Sequence, residues 1–409
     1  MNARRAWLVN PFDPVPGSGL RPMRYEAFAR ALLEAGWDVV WLTADFDHTS
    51  RAYRVPRGTD RVVVEPGFRV EYVHVPPYRR TVGAARLRSH RVWVQGLADR
   101  MAAAIGVPDV VLVSVPLLGA LRAVLAWRQG TVAAVVADVQ DTWPEALDML
   151  LPAPARVPYR PLRALAVARE RRRLAACDAV IAVSETYLAQ RRVPDVPSLC
   201  AYLGVDVPPL AARVRPSGQP LTLLWNGTIR PAADLATVVD AAALLRRRGV
   251  AARFVIAGDG PPRAALEARA ARRGLGPDTI RFLGAYPEHE RAAIVAGSDV
   301  GLHAYVPGAA ISLTNKFFDY QAAGLALLNG LPGEAARLIE RLAMGVSYRA
   351  GDAASLAAAV AVLERDRART AAMGMAARRF AERHGSRAAV ARDVAAFLGD
   401  VAGGVRAVA

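Results

Sequence analysis

GAAISLTNKFFDYQAAG, residues 308–324, is a loop of small residues feeding a helix that begins near Asn315 and ends at Gly324, a residue suited to the position just past a helix end. The apolar run 300–303 precedes this stretch and the run 325–328 follows it. Strand, loop, helix, strand is the repeating unit of parallel-sheet α/β layering.

Working outward, the same alternation recurs in two series. The second holds runs at 221–225, 254–257, 280–283, 300–303, 325–328 and 346–348. The first holds runs at 6–9, 39–42, 70–75, 110–115, 132–137 and 179–183, with helical patterns such as 24–35 and 84–104 between them. Between the series lies VPPLAARVRPSG, residues 207–218, rich in proline and without periodicity, which reads as a linker. The expected class is therefore α/β with two Rossmann-like domains, residues 1–206 and 219–385. A helical segment over about 386–409 closes the chain.

In open parallel sheets ligands bind beyond the carboxyl ends of the strands, so the loops there are where chemistry belongs. In the first series the run 6–9 is followed by a long glycine loop containing Gly17, Gly19 and Arg21. It is not a dinucleotide fingerprint, because Pro22 stands at the third glycine position. Its glycines let backbone approach a ligand, or serve a simple connection, and Arg21 is placed to meet an anion at the helix start. The loop after the fifth run, DVQDTWPE, brings Asp138, Gln140, Asp141, Trp143 and Glu145 into eight residues. That density of hydrogen-bonding groups suits sugar hydroxyls. Helix capping by Asp141 with Pro144 near the helix start explains part of it without function.

In the second series Asn226, Gly227, Thr228 and Arg230 offer amides and charge toward a phosphate, and Gly258-Asp259-Gly260-Pro261 makes a tight turn. Ala285 and Tyr286 follow a third strand, where backbone groups could read a nucleobase edge. Each of these alone is also an ordinary αβ turn. The 308–324 stretch carries more. Helix amides at Thr314, Asn315 and Lys316 would face an anion, and Lys316 adds full charge. Of 53 basic residues every one but Lys316 is arginine, which suggests a site needing a compact ammonium, chance being the alternative. Asp319 lies one turn beyond Asn315 and could accept from ribose hydroxyls.

Composition bounds the function classes. With 409 residues, 53% of them apolar and 22% charged, there is ample material for two cores and no case for global disorder. Cys177 and Cys200 are too few for a disulfide framework and match no zinc or redox spacing, which fits a reduced, cytoplasmic setting. No signal-peptide pattern is visible at the start, and the longest apolar stretch stops at Arg122, too short to span a bilayer. Net charge is +16, but the arginine bias runs through the whole chain and no RNP-like strand, zinc finger or helix-turn-helix accompanies it. A solvated basic surface accounts for it better than nucleic-acid binding. One denser stretch, Arg156 to Arg173 with Leu162, Leu165 and Val167 interleaved, has the pattern of a basic amphipathic helix at an anionic membrane, or of an ordinary surface helix.

The ordered set VNPFDPVPGSGLRPMRY, DVQDTWPE, GDGP, FLG and NKFFDYQAAGLALLNGLPGE resembles GT-B glycosyltransferases of family 4, over nearly the whole chain. It is similar to the N-acetylfucosamine-type transferases of bacterial surface polysaccharide assembly. The resemblance implies two facing Rossmann domains, the acceptor on the first, the nucleotide-sugar on the second, and a terminal helix crossing back. It implies a retaining, metal-independent hexosyltransferase needing no cofactor, with a UDP-sugar donor and a glycan, lipid-linked or not, or small-molecule acceptor, at the inner face of the plasma membrane. On it Lys316, Arg230 and the 314–316 amides serve the leaving diphosphate, and Asp319 holds the ribose. Ala285 and Tyr286 hold the base, Asn226, Gly227, Gly258 and Gly260 line the donor site, and Gly17 and Gly19 approach the bound donor and acceptor. Arg21, Gln140 and Trp143 contact the acceptor, and Asp141 and Glu145 position or deprotonate hydroxyls.

The sequence departs from the family where a Glu-x7-Glu pair is usual, with Ile311 and Asp319 in those places. Thr228 and Ala233 stand where an arginine and a lysine are usual, and the usual histidine of the fifth-strand loop is absent. These departures keep open a catalytically inert binding or scaffold subunit. A sugar-nucleotide epimerase of the same shape would need a cleft histidine and carboxylates that the sequence does not assign.

Overall fold

Strands buried on both faces must be apolar along their whole length, and VVLVSV at Val110–Val115 is buried at every position. Such strands build two sheets in the computed structural model, which describes residues 3–80, 83–104, 106–115, 119–145, 151, 153–210, 218–287, 290–309 and 311–408. Ala310 and residues 211–217 of the expected linker lie outside the described residues. The chain divides into two units, Met1–Tyr202 with Arg387–Ala409, and Leu203–Ser386.

The first unit runs β1 (Arg4–Val9), α1 (Arg24–Glu34), β2 (Trp37–Ala44), β3 (Arg61–Glu65), β4 (Phe68–Val73), α2 (Ala84–Ala103) and β5 (Val110–Val115). It continues α3 (Ala120–Arg128), β6 (Ala134–Val139), α4 (Ala153–Leu174), β7 (Ala179–Ala182), α5 (Glu185–Gln190) and β8 (Ser198–Cys200). The sheet order is β3-β4-β2-β1-β5-β6-β7-β8, and only β3 is antiparallel. Order reverses between β1 and β5, so the β1 loop with Gly17 and Gly19 leaves the sheet at its switch point.

Two differences from the sequence reading have simple causes. β6 begins at Ala134 rather than at the exposed Val132 and extends through Asp138, which is fully buried against Arg24. The hairpin β3–β4 turns on Glu65-Pro66-Gly67 with Gly67 at φ +81°, and β3 lacks the alternation of a half-buried strand because Val62 and Val63 are both exposed on the sheet edge.

The C-terminal helix Arg387–Val408 belongs to this unit because of its spacing. Val390, Val394 and Leu398 recur every four residues and join the core containing Tyr25, Phe28 and Leu32 of α1. Each such side chain, fully buried, is worth roughly 1.5–3 kcal/mol.

The second unit runs β9 (Leu221–Asn226), α6 (Leu235–Arg247), β10 (Ala252–Ala257), α7 (Arg263–Arg272), β11 (Ile280–Gly284), α8 (Arg291–Ala296) and β12 (Val300–His303). It continues α9 (Asn315–Ala322), β13 (Ala326–Asn329), α10 (Glu334–Arg341), β14 (Gly345–Ser347), α11 (Ala353–Arg365) and α12 (Arg367–Phe380). The sheet is β11-β10-β9-β12-β13-β14, with every pair parallel. Its switch point lies between β9 and β12. Gly301 of β12 lets α9 lie flat on the sheet, since a Cβ there would strike the Tyr320 ring.

Candidate active site

At the second unit's switch point the β9 loop and the start of α9 meet. Thr314 caps α9, its hydroxyl accepting from Phe317 N at 3.3 Å. The Tyr320 hydroxyl accepts from Asn226 N at 2.9 Å and ties the helix to the end of β9. Lys316, in the first turn, thereby lies beside Gly227, where a Cβ would come within 3.2 Å of its ammonium nitrogen. The ammonium stands 4.5 Å from the centroid of the Trp225 ring. No carboxylate of the described residues lies within ion-pair distance of it. Burial, and secondarily the positive charge of Arg230, bring its pKa down to about 8. A half-buried cation at a helix N-terminus, with no carboxylate within ion-pair distance among the described residues, is arranged to receive an anion.

Behind it sits a relay that the sequence reading missed. Asn329 Oδ1 accepts from Leu331 N and its Nδ2 donates to Leu331 O, which fixes the amide orientation. His303 Nδ1 must therefore donate to Asn329 Oδ1, at 2.8 Å, leaving Nε2 to accept from the Thr314 hydroxyl at 2.9 Å. Burial lowers the His303 pKa to about 4, so the ring is neutral and Thr314 is held as a cap. Glu334, buried at the start of α10, accepts from Ser312 Oγ at 3.0 Å, next to Ile311. His303, at the end of β12, carries no local motif, and Glu334, the first residue of α10, closes the NKFFDYQAAGLALLNGLPGE stretch without a role of its own in the sequence.

The remaining expected donor residues divide. Tyr286 and Asn226 come together, the tyrosine hydroxyl donating to Asn226 Oδ1, while Ala285 is exposed beside them. Asp319 lies 3.7 Å from Arg291. Arg230 is exposed at the loop's outer edge. Gly258 and Gly260 serve packing, since a Cβ at either would collide with the carbonyl oxygens of Gly227 and Ile229. The turn lies flat against the β9 loop, with Ile229 N donating to Asp259 O at 2.8 Å.

In the first unit Gly17 and Gly19 form an exposed turn at φ +80° and +70°, and Arg21 is half-buried beyond it. Gln140 donates to Asp138 Oδ2 at 2.8 Å, and Asp138 in turn pairs with the buried Arg24 at 3.0 Å. Asp141 is half-buried, accepts from Thr142 N, and is held above the usual carboxylate range by burial. Glu145, expected to position or deprotonate hydroxyls, instead gives both oxygens to Arg191, at 2.9 and 2.6 Å. Burial pushes the Glu145 pKa up, but the Arg191 hydrogen bonds outweigh it and hold the group ionised. Arg191 also donates to the Trp143 carbonyl and to Glu170, whose pKa burial raises to about 7. Arg191 and Glu170 thus organise this loop from outside the motif.

Residues 220–366 match the family described as Glycosyl transferases group 1. Among solved structures, the chain is similar to sucrose-phosphate synthase from Thermosynechococcus elongatus, with a TM-score of 0.72 at 16% identity over 97% of this chain and 99% of that one. It is similar to HepE of Anabaena, solved in complex with UDP, with a TM-score of 0.66 at 13% identity over 97% and 100%. It is also similar to WaaG, a glycosyltransferase involved in lipopolysaccharide biosynthesis, with a TM-score of 0.61 at 15% identity over 96% and 99%. No curated protein matches the chain by sequence. At these identities the likeness establishes the fold, which is GT-B.

Proposed function

We propose that the protein is a glycosyltransferase that moves a sugar from a nucleotide-sugar, a UDP-sugar in the first instance, to a hydroxyl of a glycan or small-molecule acceptor. One observation carries the reading: Lys316, without a carboxylate partner among the described residues, stands at the first turn of α9 beside Gly227, at the switch point of the second sheet. As the bond from the sugar to the diphosphate breaks, its electron pair stays on the phosphate oxygen, and the negative charge grows where Lys316, Arg230 and the α9 amides lie. The same atoms bind the ground state less strongly, so their effect falls on turnover. The match of residues 220–366 to the group 1 family and the UDP complex of HepE support a diphosphate ligand.

The finer reading is a retaining, metal-independent hexosyltransferase of family 4, of N-acetylfucosamine type, in polysaccharide biosynthesis. It rests on the motif order alone. In it Asp319 holds the ribose and Tyr286 the base edge, while Asp141 positions the acceptor hydroxyl. The α4 surface supports a peripheral contact with an anionic membrane. Val157, Leu162 and Leu165 are 62%, 63% and 48% exposed among Arg156, Arg160 and Arg169. No helix of the described residues is long and apolar enough to cross a membrane.

The test is release of nucleoside diphosphate from a panel of nucleotide-sugars with and without a glycan acceptor. Acceptor-dependent release with one donor is expected. Donor binding without release under any condition would make the chain an inert binding subunit.

A further inference from the structure

In the first unit the loops after β2 and β4, with His48, Arg51 and Tyr78, meet the first turns of α2, with Arg86 and His90, beside Phe12 of the β1 loop, and gather a second set of cations apart from every residue placed above. The Tyr78 hydroxyl lies 2.8 Å from His48 Nδ1, and Arg51 Nη1 lies 3.0 Å from the same nitrogen. Arg51 and Arg86 both hydrogen-bond the Tyr78 phenol, and their guanidinium carbons stand 5.1 and 6.0 Å from its ring centroid. Arg86 also donates to His90 Nε2 at 3.3 Å and covers Phe12 at 5.9 Å.

Several features set this cluster against a merely structural role. Arg51 and Arg86 are half-buried, and each lowers the affinity of this place for the other's positive charge. Asp47, whose charge also reaches His48 and Tyr78, accepts at Oδ1 from Thr49 N, Ser50 N and Ser50 Oγ and at Oδ2 from Arg54 at 3.0 Å. Arg51 adopts φ +60°, a left-handed conformation uncommon outside glycine, which costs energy and aims its side chain at Tyr78. Arg79, Arg80, Arg88 and Arg91, next to these residues in sequence, are exposed and carry charge of the same sign. With His48 Nδ1 and His90 Nε2 accepting from the arginines, each neutral ring keeps its N–H on the other nitrogen, and these N–H groups with the two guanidiniums are the kind of donors that phosphate oxygens accept.

We propose that Arg51, Arg86, His48, His90 and Tyr78 form a binding subsite for a phosphate or diphosphate group carried by the acceptor. This rests on the first unit's being the acceptor side of the transferase proposed above. The subsite makes the acceptor a phosphorylated molecule rather than a neutral sugar.

The experiment is histidine NMR on the full chain, whose six histidines give few, assignable signals. Inorganic pyrophosphate is titrated in one arm, UDP in a second, and phosphatidylglycerol vesicles in a third. Pyrophosphate is expected to move the His48 and His90 signals, and Arg86→Gln or Arg51→Gln to weaken it roughly tenfold or more, as loss of one charge-assisted hydrogen bond does. UDP is expected to move His303 instead, in the wild type and both variants alike. If pyrophosphate moves His48 and His90 while UDP moves nothing, the subsite stands and the donor reading fails. If pyrophosphate leaves both rings unmoved at millimolar concentration, or moves only His303, the subsite is wrong even where UDP binds. Vesicles moving the two rings where pyrophosphate does not would assign them to a membrane surface and overturn the proposal as well.

Discussion

The ammonium of Lys316 lies 4.5 Å from the centre of the Trp225 ring, on the side where Gly227 has no side chain. Trp225 is 1% exposed, so the ring is a fixed wall, and the cation cannot retreat toward the sheet. Its charge is therefore directed into the space above β9 and α9. Replacing Lys316 with Ala is expected to lower turnover on the order of 10²-fold, the usual loss for one charge-stabilising donor. Steady-state kinetics at saturating donor check it; near-normal turnover would make the lone lysine incidental.

The same burial sets a pH limit. With its pKa at about 8, Lys316 loses its proton in the free protein above that pH, and kcat/KM for the donor is expected to fall with a limb near pH 8. The stability sign is the opposite. The unfolded chain holds this proton up to about pH 10.4, so the cost of burying the charge is lifted as pH rises past 8. A kcat/KM profile flat from pH 7 to 9.5 would contradict the assignment.

His48, His90 and His303 are each held neutral by burial, with pKa values of about 4. Their folded values lie below the unfolded one near 6.5, so the unfolded chain binds more protons between pH 6.5 and 4. The stability they contribute is complete above pH 6.5 and is lost as pH falls toward 4. Urea midpoints at pH 7, 5.5 and 4.5 should decline in that order; equal midpoints would mean the rings titrate normally.

Asp141 and Glu145 should separate by phenotype. Asp141→Asn is expected to reduce kcat by at least 10²-fold with little change in stability, as loss of a positioned acid or base does. Glu145→Gln and Arg191→Met are expected to act mainly on stability, Arg191→Met by about 3–5 kcal/mol, because Arg191 is 1% exposed and its loss leaves Glu145 and Glu170 without their partner. Urea unfolding alongside kinetics decides; a Glu145→Gln enzyme that is stable but inactive would return Glu145 to the reaction.

Much of this was readable from residues alone, because parallel strands announce themselves as apolar runs and the loops between them follow at fixed places. The 308–324 stretch marked both α9 and Lys316, since a loop of small residues, a cation and a closing glycine are local signals. What escaped was non-local. Arg191 lies 46 residues from Glu145 in sequence, and His303 meets Thr314 and Asn329 only through the sheet. Arg51 and Arg86 looked like two of many arginines until Tyr78 brought them together. Asn226 looked free for a phosphate, whereas Tyr286 occupies its side-chain oxygen.

Asp319→Asn is expected to raise the donor KM with kcat little changed, since a ribose contact is made equally in ground and transition states. Fluorescence-detected donor binding would show the same loss. An unchanged KM would place the ribose elsewhere, with Asp319 kept for its pairing to Arg291.

The central claim, that the Lys316 end of the second unit holds a nucleoside diphosphate, is tested most directly by melting the wild type and Lys316→Met with UDP, GDP, dTDP and ADP. A ligand that binds only the folded state raises the melting temperature by mass action. The account predicts a shift of the wild type with one nucleotide, UDP first, and a much smaller shift of Lys316→Met at the same concentration. No shift with any nucleotide, or equal shifts of the two proteins, would contradict it.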